Sequence, residues 1–384
     1  MRDFLQRVIA IISSTSKRTK LLIAVAFLLI ALFFVGRYYY NQHHISDYSE
    51  MTMLVNDHKY IEAEQRIGDF LVDNAKDPYF LVLIARTYVG RSSQSNDPVM
   101  KKGYLLKSIQ ALNDAERING NIVEIFRIKG LVYLNLGEFK LSETFYRKAI
   151  SLEPKSVSTL NDLGNLMLIK KDIDQAYQSY KTAIDLEPQN EQAKVGLIRL
   201  MLIQSKYDQA LGQARVLYEN TTDSNVKVLL GEIMGNIYSK LTDYSKAIQS
   251  YNNVITINPN SVYALYGLAE VSFAKNFNIN NISQSTLDAV QYAKKTIDVD
   301  PAYPHSYVLL ARLASLNDNK SEYDTYSTLA KATINDYLFM NKSEKEKLLA
   351  LIPDFGVNGS NNVKIKVLSA RVSTTTPSSL IRKK

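Results

Sequence analysis

The sequence predicts an all-α protein, a solenoid of helical repeats that follows one transmembrane helix. Two observations carry this expectation. Gly130, Tyr146, Ala149 and Pro154 return 34 residues later as Gly164, Tyr180, Ala183 and Pro188. Gly164, Ala176, Tyr180 and Pro188 return again as Gly235, Ala247, Tyr251 and Pro259, each displaced by 71, and Ala247 and Pro259 then recur as Ala289 and Pro301, displaced by 42. Independent drift does not shift several residue types by one offset, so the chain is built from repeats, which form surfaces more often than active sites. The second observation is Leu21 to Gly36, sixteen residues without a polar side chain.

In chain order, residues 1–16 read as a cytoplasmic N-terminal segment. Its Phe4-Leu5, Val8-Ile9 and Ile11-Ile12 have rough helical periodicity, suited to an inner membrane face. A solvated tail is the alternative reading. Residues 17–40 read as an uncleaved signal anchor. The apolar run is short of the roughly 20 residues that cross a bilayer, but Thr19 to Tyr40 reaches that length, with Tyr38-Tyr39-Tyr40 placed as an interfacial belt. A cleaved signal peptide would end in small residues, whereas this run ends in Phe33-Phe34-Val35-Gly36-Arg37. Arg2, Arg7, Lys17, Arg18 and Lys20 precede the span against Asp3 alone. The positive-inside bias then keeps the N-terminus cytoplasmic, which predicts a single-pass bacterial inner-membrane protein with its repeats in the periplasm.

Residues 44–337 carry the repeats. The clearest unit, 123–156, holds Phe126, Gly130, Tyr133, Ser142, Tyr146, Ala149 and Pro154. The next, 157–190, holds Leu160, Leu163, Gly164, Met167, Ala176, Tyr180, Ala183 and Pro188. Residues 228–261 hold Met234, Gly235, Tyr238, Ala247, Tyr251 and Pro259. Small residues admit close helix approach, aromatics fill the space between hairpins, and proline ends the second helix. The pattern resembles the tetratricopeptide repeat (TPR). The resemblance implies a right-handed α-solenoid of about eight TPR helical hairpins.

Weaker units flank these three. Residues 44–77 end in Tyr60, Ala63, Ile67 and Phe70, and residues 78–122 are longer, with the extra length assigned to an Arg91–Met100 loop rich in Ser, Asn and Pro. Residues 191–227 lack the glycine and proline places, 262–303 carry extra residues around Asn276–Ser285, and 304–337 form the last unit. Residues 338–354 read as a capping helix and 355–384 as a basic, largely flexible tail. The formal charge of +8 divides into +5 for 1–43, +6 for 355–384 and −3 for 44–354. The solenoid is therefore no basic surface, and nucleic acid is not the expected partner. The tail could meet anionic lipid, peptidoglycan or an acidic protein, or stay solvated.

No catalytic motif stands out. The chain has no cysteine, no G-x-x-x-x-G-K-[ST] and no H-E-x-x-H. His43-His44 are adjacent and would diverge on a helix; His58 and His305 are expected to be exposed. The sequence thus predicts no enzyme, no catalytic residues, no cofactor and no metal.

The resemblance does imply a groove, lined by the first helix of each hairpin. Carried onto this chain, it includes Arg127, Leu131, Leu134 and Asn135, then Asn161, Asn165, Leu168 and Ile169. Further along come Arg199, Leu202 and Ile203, then Glu232, Asn236 and Lys240, then Tyr263, Tyr266, Glu270 and Phe273. Asn165 and Asn236 are expected to stand open to a bound backbone. Packing against a capping helix is the alternative use of this face. The family's clamp for C-terminal carboxylates is absent, because Arg127, Leu131 and Asp162 occupy its places and Asp162 would repel such a ligand.

The resulting expectation is a membrane-anchored scaffold binding a peptide or helix of an envelope-complex component, as a homo- or hetero-oligomer or alone. A secretion, pilus or flagellar-motor assembly fits this reading. The composition is similar to that of spirochaetes, whose flagellar collars contain such proteins. A periplasmic chaperone or translocon accessory holding unfolded clients is the alternative, with regulation of cell-wall synthesis third.

Overall fold

The structure is a computed structural model that describes residues 29, 32–33, 35, 47–74, 76–95, 97–275, 282–337, 340 and 342–355. From residue 47 onward the described chain is helical, with no strand. Helix α1 covers 47–56. The next helices are α2 (Tyr60–Asn74), α3 (Pro78–Gln94), α4 (Pro98–Ile118), α5 (Val123–Asn135), α6 (Phe139–Leu152), α7 (Val157–Ile169) and α8 (Ile173–Leu186). They are followed by α9 (Glu191–Ile203), α10 (Tyr207–Asn220), α11 (Ser224–Lys240), α12 (Tyr244–Ile257), α13 (Val262–Lys275), α14 (Ile282–Val299), α15 (Pro304–Leu316), α16 (Lys320–Asp336) and α17 (Lys342–Leu349). Helices α1 to α16 pair in order into eight hairpins, and α17 packs on the last.

Six of the hairpins turn the same way. His58, Gly137, Lys171, Ser205, Thr242 and Asp318 all have positive φ, between 55° and 77°. In each turn that residue's N–H returns to a carbonyl three back, as from Lys171 to Leu168 at 3.0 Å, and the next N–H reaches five back, as from Asp172 to Met167 at 2.9 Å. This pair of bonds is the Schellman motif, which satisfies carbonyls that the helix end would orphan. The residue after the turn then serves the second helix: the Asp172, Asp243 and Asn319 side chains accept from Gln175, Lys246 and Glu322 N–H groups.

Tyrosines set the distance between the helices. A Cβ on Gly164 would stand 2.6 Å from the Tyr180 ring, and one on Gly196, in the next hairpin, 2.4 Å from the same ring. Tyr251 is held in the same way between Gly235 and Gly267, at 2.5 and 2.4 Å. Tyr146, Tyr180, Ala149 and Ala183 are fully buried, so these rings wedge hairpin to hairpin. From α3 onward each first helix also contacts the next first helix, whereas no comparable contact joins successive second helices among the described residues. The ribbon therefore bends toward its first helices, which line the inner face.

Three sequence expectations change. The Arg91–Met100 stretch is not a long loop, since α3 runs to Gln94 and α4 starts at Pro98. The reason lies in Asp97-Pro98: the Asp97 carboxylate caps Val99 N–H at 2.8 Å, and proline suits the first helical position. Asp223 caps Asn225 N–H at 2.7 Å, so α11 begins one turn before residue 228. The expected span over 17–40 lies outside the described residues except for Leu29, Leu32, Phe33 and Val35. No helix among the described residues is long and apolar enough to cross a membrane, which counts against the expected single-pass inner-membrane location. Residues 1–16 and 356–384 also lie outside the described residues.

The wedge makes a testable contrast between two helical glycines. Gly196→Ala should destabilise the protein by about 2 kcal/mol, because Tyr180 is held on both sides and cannot yield. Gly212→Ala, with no atom within 4 Å of the new methyl, should be neutral or gain up to about 1 kcal/mol from helix propensity. Urea unfolding of both variants measures the pair, and equal midpoints would contradict the wedge.

Candidate functional site

Because the ribbon bends inward, the first helices approach each other and their facing side chains meet. A chain of polar contacts results. Lys129 (α5) is buried and donates to Asn113 of α4 at 2.7 Å and to Glu116. Arg127 (α5) donates to Asp162 (α7) at 2.8 Å and to Glu124 on its own helix. Asn161 (α7) donates to Asn190 at 3.0 Å, and the same Asn190 oxygen caps Ala193 N–H at the start of α9. Glu191 accepts from Thr221, and Glu232 (α11) accepts from Ser261, each at 2.7 Å. Asn236 (α11) donates to the Tyr263 hydroxyl on α13. Hydrogen bonds thus run from the second hairpin to the seventh, along the first helices and the connections that precede them.

The charges along this line balance one another. Burial opposes the charge on Arg127 most strongly, yet Glu124 and Asp162 hold its guanidinium above the ordinary value. Arg199 is buried, and burial lowers its guanidinium while Tyr180, Glu232 and Tyr263 work the other way. Glu270 is exposed, but the protein crowding it raises its carboxyl, against a hydrogen bond from Tyr266 at 2.8 Å and the charges of Arg312 and Lys240. An exposed group that is nonetheless hemmed in by protein fits the wall of a concavity.

The ten residues expected to form the groove fall into two sets. Leu134, Asn161, Leu168, Arg199, Asn236, Tyr263 and Tyr266 are buried, while Arg127, Asn165 and Leu202 keep partial exposure. Asn236 is therefore not open, and the Asn165 side chain accepts from the Tyr180 hydroxyl at 2.6 Å. The bend accounts for this, since positions that would stand open on a flat array face the adjacent helix here. Leu131, Asn135, Ile169, Ile203, Lys240 and Glu270 remain reachable between the ties. Asp162, expected to repel a carboxylate, is engaged by Arg127.

His305 also differs from expectation. Pro304 opens α15, which carries His305 into the first turn, where it stacks on Tyr303 at 4.9 Å and tilts against Tyr266 at 5.6 Å. It is buried, its Nδ1 has no hydrogen-bond partner, and burial lowers its pKa to about 4 against the pull of Glu344. His58 lies in the first hairpin turn, exposed, with Nδ1 2.8 Å from Asn56 O, and His43-His44 lie outside the described residues. Among the described residues no three His, Asp or Glu side chains gather as a metal site requires.

Residues 128–156 and 157–190 match the tetratricopeptide repeat model, and residues 235–276 match a TPR repeat model. The chain contains tetratricopeptide repeats. Solved structures agree on the TPR-like fold. A chain of the APC/C hetero-tetramer Cut9–Hcn1 aligns with a TM-score of 0.56 at 13% identity, over 68% of this chain and 48% of that one. Yeast Tom70 aligns with a TM-score of 0.50 at 17% identity, over 76% of this chain and 58% of its own. A tetratricopeptide repeat protein from Parabacteroides merdae gives 0.48 at 17% identity, over 69% of this chain and 98% of that one. A sequence search of curated proteins returns no match. TPR proteins are typically non-enzymatic scaffolds that bind peptides or proteins.

The buried histidine predicts a pH dependence. Its folded pKa lies below the ordinary value of 6.5, so the unfolded chain binds the extra proton between pH 6.5 and about 4. Stability from the neutral ring is present above pH 6.5 and lost as pH falls toward 4, by roughly 3 kcal/mol in full. The raised Glu270 carboxyl acts with the opposite sign, so the comparison is made by difference. Relative to the parent, His305→Gln should lose less stability between pH 7 and 4, followed by urea midpoints. Parallel curves would contradict the buried neutral ring.

Proposed function

We propose that this chain is a protein-interaction scaffold that takes a peptide or helix of one specific partner along the inner face of its first helices. The observation that carries the reading is the inward bend, which gathers Leu131, Asn135, Asn165, Ile169, Leu202 and Ile203 on one face. Polar side chains there are already tied to neighbours and so need little ordering when a partner arrives. The apolar residues between them supply contact area, and the asparagines keep amide groups that a backbone can meet. The charges cancel along the face, so the partner segment is not expected to be strongly acidic or basic.

Holding varied unfolded clients is the second reading. It calls for an adaptable apolar surface. The hydrogen-bonded ties from Arg127 to Tyr263 instead favour one geometry, and with it a member of a stoichiometric assembly.

A photocrosslinking residue placed at Ile169 or Leu202 should give one dominant protein adduct in producing cells. The same residue at Tyr177 or Val216, exposed on α8 and α10, should give none. Adducts from the outer positions alone would overturn the reading, and a heterogeneous smear from the inner ones would favour client holding.

A further inference from the structure

The bend brings together two places far apart in the chain. Lys171 lies in the turn between α7 and α8, and its ammonium meets the Glu344 carboxylate of α17 at 2.7 Å. Four hairpins separate the two in sequence. The Glu344 side chain is only 14% exposed, and its charge also reaches His305. One turn further along α17, Leu348 is buried among Tyr307, Val308, Ala330 and Ile334. Past the helix, Pro353 O accepts from the Tyr323 hydroxyl at 2.5 Å, and Phe355 packs on Tyr323 under the Lys320 ammonium. The segment from Lys342 to Phe355 thus seats on α15 and α16 and reaches across to the fourth hairpin.

We propose that α17 is an intramolecular clasp, and that its seat is a docking site for a partner helix presenting the same pair of groups, a carboxylate and a leucine four residues later. The clasp closes the coil over the inner face of hairpins four to eight, so it rests on the reading of that face as the partner's surface. Its strength suits release. The Lys171 side chain is 46% exposed, and ion pairs of that kind are weak. Helix α17 has eight residues, KSEKEKLL, too few to be stable alone. It stays seated because the short connection from Tyr337 holds it at a high effective concentration, on the order of millimolar. A partner helix competes with that local concentration, and its carboxylate replaces Glu344 at Lys171.

The test uses the full chain and a fluorescent synthetic peptide of residues 342–355 as probe. Wild type should capture the peptide weakly, because its own α17 fills the seat. The double variant Glu344→Lys/Leu348→Asp should bind it at least tenfold more tightly, and adding Lys171→Glu should cut that gain severalfold. A peptide carrying Glu344→Lys should regain binding to the triple variant. Equal capture by wild type and the double variant, or capture indifferent to residue 171, would overturn the proposal. A second variant covers the case of an unstable double variant. The chain has no cysteine, so a bismaleimide with a cleavable disulfide spacer, long enough to replace the two side chains, can join Lys171→Cys to Glu344→Cys at one place only. Crosslinked, that protein should exclude the peptide, and cleaving the spacer should restore capture severalfold; no crosslink, or capture unchanged by cleavage, contradicts the clasp. Neither arm uses the cellular partner, so failure of the photocrosslinking result leaves this test readable on its own.

Discussion

A tyrosine ring with no room on either side sets the geometry of this protein. Tyr180 stands between Gly164 and Gly196, and Tyr251 between Gly235 and Gly267, so any side chain at those glycines would overlap the ring. Each ring removes roughly 150–250 Å² from water and joins three helices of two hairpins. Because interiors are close-packed and poorly compressible, such a wedge fixes an angle as well as a distance. Repeated along the chain, that angle bends the ribbon toward the first helices. The inner face follows from the bend.

The bend also explains why the inner face is half sealed. First helices that approach closely must satisfy the polar groups they bury. They do so through the ties from Lys129–Glu116 and Arg127–Asp162 to Asn236–Tyr263. Removing one member of such a buried pair strands the other, so these residues bear on stability before they bear on recognition. What remains reachable is the apolar and amide surface between the ties. The same curvature carries the fourth hairpin's turn to α17, where Lys171 meets Glu344.

The repeat spacing made the hairpins legible because close packing demands particular residue types at particular places. Tyr146, Ala149, Tyr180 and Ala183 are buried for that reason. The starts of α4 and α11 were not legible: Asp97 and Asp223 cap them, but Ser, Asn, Asp and Pro suit a loop as well as a cap until the backbone turn is known. Exposure on the inner face was not legible, since it depends on the angle between hairpins and not on any one residue. Asn236 and His305 illustrate this, each sealed by a neighbouring hairpin or loop: Tyr263 for one, Tyr266 and Tyr303 for the other. The Lys171–Glu344 contact had no local signal, because a long-range meeting is the sum of many small rotations.

The central claim is that the tyrosine wedges impose the curvature that makes the inner face a site. Spin labels on cysteines engineered at positions 171 and 344 report that curvature directly in a chain without native cysteine. The account predicts a single short distance in the parent and a longer, broader distribution when Gly196→Ala disturbs the Tyr180 wedge while helical content is retained. A distance distribution unchanged by Gly196→Ala would contradict it.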